Sequence, residues 1–255
     1  MSAHKSDKMV LAGDIGGTKT HLAVFAPGSD VRTPLREKTY ASGRYASLEA
    51  LSREFLAAID AQVERASFGV AGPVVAGRAR ITNLPWVMDE AQLAEDLGLA
   101  SVHLLNDLEA IAGAVPALRE TDRVMLNRGQ SAGGGAVAVI APGTGLGEAF
   151  LVWDGTRYRA QPSEGGHADF APNSALQAEL LNHLQQRFGH VSWERVCSGS
   201  GLPNIYDFLK TSGHAPEPDW LAAALAAADD RTAVIVRAAL DAGRPCRLCQ
   251  ATLKT

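Results

Sequence analysis

The chain has 255 residues, 46% hydrophobic and 20% charged, with a formal net charge of −4. That is the make-up of a soluble globular protein long enough for one large or two modest domains. No long basic run points to nucleic acid or an anionic membrane, and no stretch approaches the ~20 continuous apolar residues of a membrane span. Three cysteines do not make a disulfide framework, and Met1 to Lys8 lacks the apolar core of a signal peptide. A cytoplasmic protein with reduced thiols is expected.

Met9 to Ala12 reads as a short strand running into Gly13-Asp14-Ile15-Gly16-Gly17-Thr18, and Leu22 to Phe25 as a second strand. A Walker A loop needs Gly-Lys-Ser/Thr, and here Thr18 separates Gly17 from Lys19. The dinucleotide fingerprint fails too, because no helix opens after the glycines. A Gly-rich turn between strands can still aim backbone N–H groups at a phosphate. Asp14 at its mouth could hold Mg²⁺ through water, a metal that takes few carboxylates and keeps several waters. The plainer alternative is an ordinary Gly-Gly hairpin.

Ser47 to Gln62 has Leu48, Leu51, Phe55, Leu56 and Ile59 on one face, an amphipathic helix. Ala66 to Val70 reads as a strand ending at the turn Ala71-Gly72-Pro73, and Arg78 to Thr82 as another short strand. Trp86 is assigned to packing. A helix follows from Asp89, its N-cap, to Leu97. Val102 to Leu105 is a buried strand that ends abruptly at Asn106-Asp107, and Leu108 to Leu118 has helical spacing. Ligands and chemistry sit at the carboxyl ends of strands in open α/β sheets. Asp107 is therefore a candidate catalytic carboxylate with Asn106 beside it. The competing reading is that one of the two merely caps the helix.

Asn127 to Gly135 is a Gly-rich surface linker, after which the opening pattern returns. Ala136 to Ala141 is a strand, Pro142-Gly143-Thr144-Gly145-Leu146-Gly147 a Gly-rich turn, and Glu148 to Trp153 a strand. Two such units imply two related halves, each with a loop for a shared cleft. Glu164, His167 and Glu194 could be polar ligands of one site, although a lone Glu-x-x-His is not a di-metal pattern. Helices are expected from Asn173 or Ser174 (with Leu176, Leu180, Leu181 and Leu184 apolar), from Ser198–Gly201 to Lys210, over Pro216 to Asp229, and over Thr232 to Leu240. Cys246 and Cys249 form one Cys-x-x-Cys pair, and without a second pair or nearby histidines zinc is not favoured.

Gly13-Asp14-Ile15-Gly16-Gly17-Thr18, Asn106-Asp107, Gly143-Thr144-Gly145-Leu146-Gly147, Glu164-Gly165-Gly166-His167 and Glu194-Arg195-Val196-Cys197-Ser198-Gly199 occur in that order. In this the chain resembles the bacterial glucokinases over nearly its whole length. The resemblance implies an α/β fold of two actin-like (ribonuclease H-like) domains with mixed sheets flanked by helices. The first is expected over 1–107; the second, over 108–255, is expected to be incomplete. It implies ATP-dependent phosphorylation of glucose at the 6-hydroxyl, with ATP and Mg²⁺ and as a homodimer. Asp107 then resembles the general base, and Asn106, Glu164, His167 and Glu194 the residues that hold sugar hydroxyls. Gly13 to Thr18 and Gly143 to Gly145 resemble the phosphate loops.

Family members run on past the position of Thr255, so the chain resembles one truncated on its adenosine side. Weak nucleotide binding and an exposed Val234, Ile235 and Leu240 face are expected to follow. A catalytically impaired sugar-binding module and an actin-like ATPase are the alternatives, and no helix-turn-helix precedes Val10 to favour a DNA-binding sugar sensor.

Overall fold

The computed structural model describes residues 8–59, 62–81, 83–130 and 132–255, so expectations for Met1–Asp7 lie outside the described residues. Two compact units are present: Met1–Gly135 with Leu151–Gln161, and Ala136–Phe150 with Pro162–Thr255.

In the first unit, Met9–Ile15 (β1) pairs antiparallel with Lys19–Phe25 (β2), which pairs antiparallel with Arg36–Ala41 (β3). Helix Leu48–Ala57 (α1) is capped by Ser47, and it turns Leu48, Leu51 and Phe55 wholly inward. Val63–Val70 (β4) then lies parallel to β1. A small antiparallel sheet follows, Val74–Val75 (β5), Arg78–Arg80 (β6) and Val87–Asp89 (β7). Asp89 caps Glu90–Leu97 (α2) by accepting the N–H groups of Ala91 and Gln92 at 3.0 and 3.1 Å.

Ser101–Asn106 (β8) adds parallel to β4 and completes a sheet of order β3-β2-β1-β4-β8. Its core lies between the sheet and the helices α1 and α2, with Leu11, Ile15, Leu22, Phe68 and Leu104 packed there. Trp86 is 2% exposed and donates from Nε1 to Tyr45 O, so it packs as expected. Helix Asp107–Ala114 (α3) stops short of Leu118 because Pro116, lacking an N–H, falls in the 3-10 turn that follows. The helix packs on β4 and β8 and so belongs to the first unit. The first unit thus runs on past α3 to Gly135 and takes up the chain again over Leu151–Gln161.

Val137–Pro142 (β9), Leu146–Trp153 (β10) and Tyr158–Ser163 (β11) form a sheet of order β11-β10-β9. Five helices among the described residues lie in the second unit: Ala175–Phe188 (α4), Leu202–Thr211 (α5), Asp219–Ala226 (α6), Arg231–Leu240 (α7) and Arg247–Thr252 (α8). Leu180, Leu184, Tyr206, Leu209, Leu221, Ile235 and Leu248 meet in their core. The face of α7 expected to be exposed is instead largely covered. Ile235 is fully buried and Val234 packs against the core, which leaves Leu240 alone in solvent.

Cys246 and Cys249 are both buried, and Cys246 Sγ accepts the Cys249 N–H as the cap of α8. Burial pushes the Cys249 thiol up to about 12. Among the described residues no helix is long and apolar enough to cross a membrane.

Candidate active site

The expected site residues fall into two groups, one in each unit. In the first, strand register aligns Ile15, Val70 and Asn106 at the carboxyl ends of the three parallel strands β1, β4 and β8. The alternation of β1 decides which residues of the first loop are open. Ile15 is fully buried, and a side chain at Gly13 would meet Leu22 Cδ2 and Phe68 Cδ1 at 2.7 Å. Both thus serve the core. Asp14 is exposed, opposite His21 in register, and lines a cavity of about 890 Å³ with Ser67 and Glu109.

The loop between β1 and β2 is held from behind by Ser42, which is fully buried and which the sequence did not reveal. Ser42 Oγ donates to Gly16 O at 2.8 Å and its N–H to Thr18 O at 3.0 Å. Gly16 donates to Lys19 O, an approach so close that a Cβ would lie 2.9 Å from that oxygen. Neither Gly16 nor Gly17 has a positive φ, so the loop is not the mirror-image Gly-Gly hairpin turn. The N–H groups of Gly17 and Thr18 make no hydrogen bond among the described residues.

The structure also settles which residue caps α3. Asn106 Oδ1 accepts the N–H groups of Leu108 and Glu109 at 2.9 and 3.3 Å, while its Nδ2 donates to Gly72 O at 3.0 Å. Gly72 has φ +145°, a conformation other residues rarely adopt. Asp107 is left at the first helical position, partly exposed, its Oδ1 accepting, among the described residues, only the adjacent Leu108 N–H. Gly69 makes this possible: its absent Cβ would lie 3.1 Å from Ala110 Cβ and 3.9 Å from Asp107 Cα.

In the second unit the start of β10 is the common support. Gly143 N–H donates to Gly145 O at 2.9 Å, closing the second loop. Gly199 and Ser200 donate to Gly143 O and Thr144 O at 2.7 and 3.1 Å. These residues, with Arg231 and Thr232, line a cavity of about 560 Å³. Glu194 lies on the 3-10 turn Trp193–Arg195, and its Oε2 accepts the Leu146 N–H at 3.0 Å. Gly166 is packed so tightly on Leu146 O that no Cβ fits. The same loop holds Glu164 and His167 out in solvent, 80% and 62% exposed, with His167 Nε2 3.8 Å from Glu164 Oε2. Glu148, which sequence reasoning missed, presses its carboxylate against Gly165. It sits within a strand pattern, where a carboxylate reads as an outward polar position.

Sequence and structure comparisons bear on this arrangement. A family profile described as Glucokinase matches residues 11–255. The chain belongs to the glucokinase family. The glucokinase of Nostoc sp. is 40% identical over 215 residues, 82% of this chain and 63% of that one. That of Tolumonas auensis is 38% identical over 205 residues, 80% of this chain and 63% of that one. The crystal structure of a glucokinase from an Antarctic psychrotroph matches with a TM-score of 0.78 at 30% identity, covering 96% of this chain and 74% of that one. The chain spans about 63% of the length of these two curated relatives. Its mixed five-stranded sheet with flanking helices belongs to the actin-like fold of the glucokinases.

Proposed function

We propose that this chain carries out ATP-dependent phosphorylation of glucose at the 6-hydroxyl, with Asp107 as general base. The observation that carries the reading is the division of labour at the start of α3: Asn106 caps the helix, and Asp107 Oδ2 has no partner among the described residues. A base must be free to accept a proton within hydrogen-bond reach, and a capping carboxylate would not be. Phosphoryl transfer needs alignment and charge neutralisation more than covalent help from the protein.

Glu164, His167 and Glu194 are the proposed holders of the sugar hydroxyls, with the remaining N–H of Asn106 Nδ2 as a further donor. A carboxylate accepts two or more hydroxyl protons, and a site built on such bonds rejects analogues that lack the hydroxyls. Gly16, Gly17 and Thr18 are the proposed first phosphate loop, supported by the uncommitted N–H groups of Gly17 and Thr18. Gly143, Thr144 and Gly145 are the second, supported by the neighbouring cavity. Gly13 and Ile15 then act through the strand that carries Asp14.

Asp14 suits Mg²⁺, since an exposed single carboxylate leaves room for the waters that ion keeps. Bound there, the ion would neutralise phosphate charge. A cytoplasmic location and a homodimer belong to the same proposal; the free thiols of Cys197, Cys246 and Cys249 support the first.

The test is calorimetric titration with glucose and then ATP beside a coupled assay of ATP consumption. Glucose binding with glucose-dependent ATP consumption is expected. ATP consumption indifferent to glucose would replace the reading with an actin-like ATPase, and glucose binding without turnover with a sugar-binding module.

A further inference from the structure

Ser198 to Gly201 tie together two parts of the second unit that the proposed function treats separately. Ser198 is 5% exposed; its Oγ donates to Glu194 O at 2.7 Å and accepts the Gly201 N–H at 3.0 Å. A Cβ on Gly201 would lie 2.9 Å from Glu194 O, so the backbones touch there. Asn204 Nδ2 donates to Arg195 O at 3.0 Å and secures the same turn to α5.

The residues between Ser198 and Gly201 face the other way. Gly199 and Ser200 give their N–H groups to Gly143 O and Thr144 O, and a Cβ on Gly199 would lie 2.9 Å from Gly143 O. The side chain of Glu194 closes the ring by accepting the Leu146 N–H on Oε2. Glu194 is thus gripped through its backbone by Ser198 while its carboxylate grips the residue that ends the Gly143–Gly145 loop.

We propose that this ring couples hexose occupancy to the geometry of the Gly143–Gly145 loop, with Ser198 as the positioning residue. The inference rests on the sugar role of Glu194 proposed above. Glu194 Oε1 accepts no hydrogen bond among the described residues and is open to a hydroxyl, while Oε2 stays on Leu146. A hydroxyl on Oε1 fixes the rotamer of Glu194 and with it the bond to Leu146. The loop, already held at Gly143 and Thr144, is then fixed at both ends. A ligand that needs the loop ordered loses less entropy on binding, and that is positive coupling without a change of fold.

The experiment is hydrogen exchange read by mass spectrometry on the full 255-residue chain, with and without saturating glucose. In the parent, glucose should slow exchange of the segments 143–147 and 198–201 by about threefold or more. In Ser198→Ala the slowing at 143–147 should vanish, while glucose still binds within about fivefold of the parent affinity. A merely structural defect would raise exchange equally with and without glucose. Glucose bound by the parent with unchanged exchange at 143–147 overturns the coupling and leaves the sugar site standing. So does slowing retained in Ser198→Ala. No glucose binding by the parent overturns the sugar site and the coupling together. The parent measurement decides the matter even where Ser198→Ala does not fold.

Discussion

Asp107 stands at the first turn of α3 without having to cap it, because Asn106 takes that part. The substitution Asp107→Asn preserves shape and removes only the basic carboxylate. A positioned base contributes roughly 10²–10⁴-fold. Turnover should therefore fall by about a hundredfold or more while calorimetric glucose affinity stays within about threefold. A variant keeping a tenth of parent activity would rule out the base role. Glu164 poses the opposite case, a carboxylate 80% exposed that, among the described residues, is ion-paired with His167 alone. Hydrogen bonds to a charged group contribute about 1.5–3 kcal/mol, so Glu164→Ala should weaken glucose binding by about tenfold. An unchanged dissociation constant would make the loop plain surface.

At the scale of elements, α3 sits where it does because β4 offers a bare backbone at Gly69. With Ala110 Cβ only 3.1 Å from the missing Cβ, a side chain at residue 69 presses on the helix, which must give by a few tenths of an ångström. Overpacking of this kind costs about 1–3 kcal/mol. Gly69→Val should lower the melting temperature and, by displacing Asp107, lower kcat by more than the loss of folded protein explains. Thermal melts and active-site-normalised rates check this; a lower melting temperature with full kcat would mean that α3 does not move with residue 69. Elsewhere the elements differ in how openly their residues declare them. α2 carries its start and stop in plain view, Asp89 at the cap and Gly98 at φ +65°. β3 does not: four of its first five residues lie exposed at a sheet edge, so no apolar alternation marks Arg36–Ala41 as a strand.

Across the whole molecule, acid should be destabilising. Asp30 and Asp122 belong to a reciprocal clasp: Arg119 Nη2 bonds Asp30 Oδ2 at 2.6 Å and Arg32 Nη2 bonds Asp122 Oδ2 at 2.5 Å. The Arg32 N–H and then Arg119 hold the Asp30 carboxyl below its ordinary range, and the Arg119 N–H and then Arg32 do so for Asp122. Arg78, then the Gln92 N–H, lower that of Asp89. A carboxyl depressed in the folded state stabilises above its unfolded pKa of about 3.9, and that contribution is lost as pH falls through the folded value. The melting temperature should drop steadily from about pH 5 to about pH 3, less steeply in Asp30→Asn/Asp122→Asn. Parallel curves for parent and variant would mean that the clasp contributes nothing.

The order of motifs, the two strand–glycine loop–strand units, the cap of α2, a choice of two residues for that of α4 and the identity of the candidate base were all written in the sequence, because each depends on neighbours within a few residues. Which of Asn106 and Asp107 caps α3 depended on Gly72, reached only through the β4–β8 register. The loss of Gly13 and Ile15 to the core depended on Leu22 and Phe68 packing against the same strand. Ser42 behind the first loop is a single hydroxyl with no local signature. Its bond to Gly16 O, and that of the Leu146 N–H to Glu194 at the second loop, exist only once the chain has folded back on itself, and long-range contacts of that kind decide what local pattern leaves open.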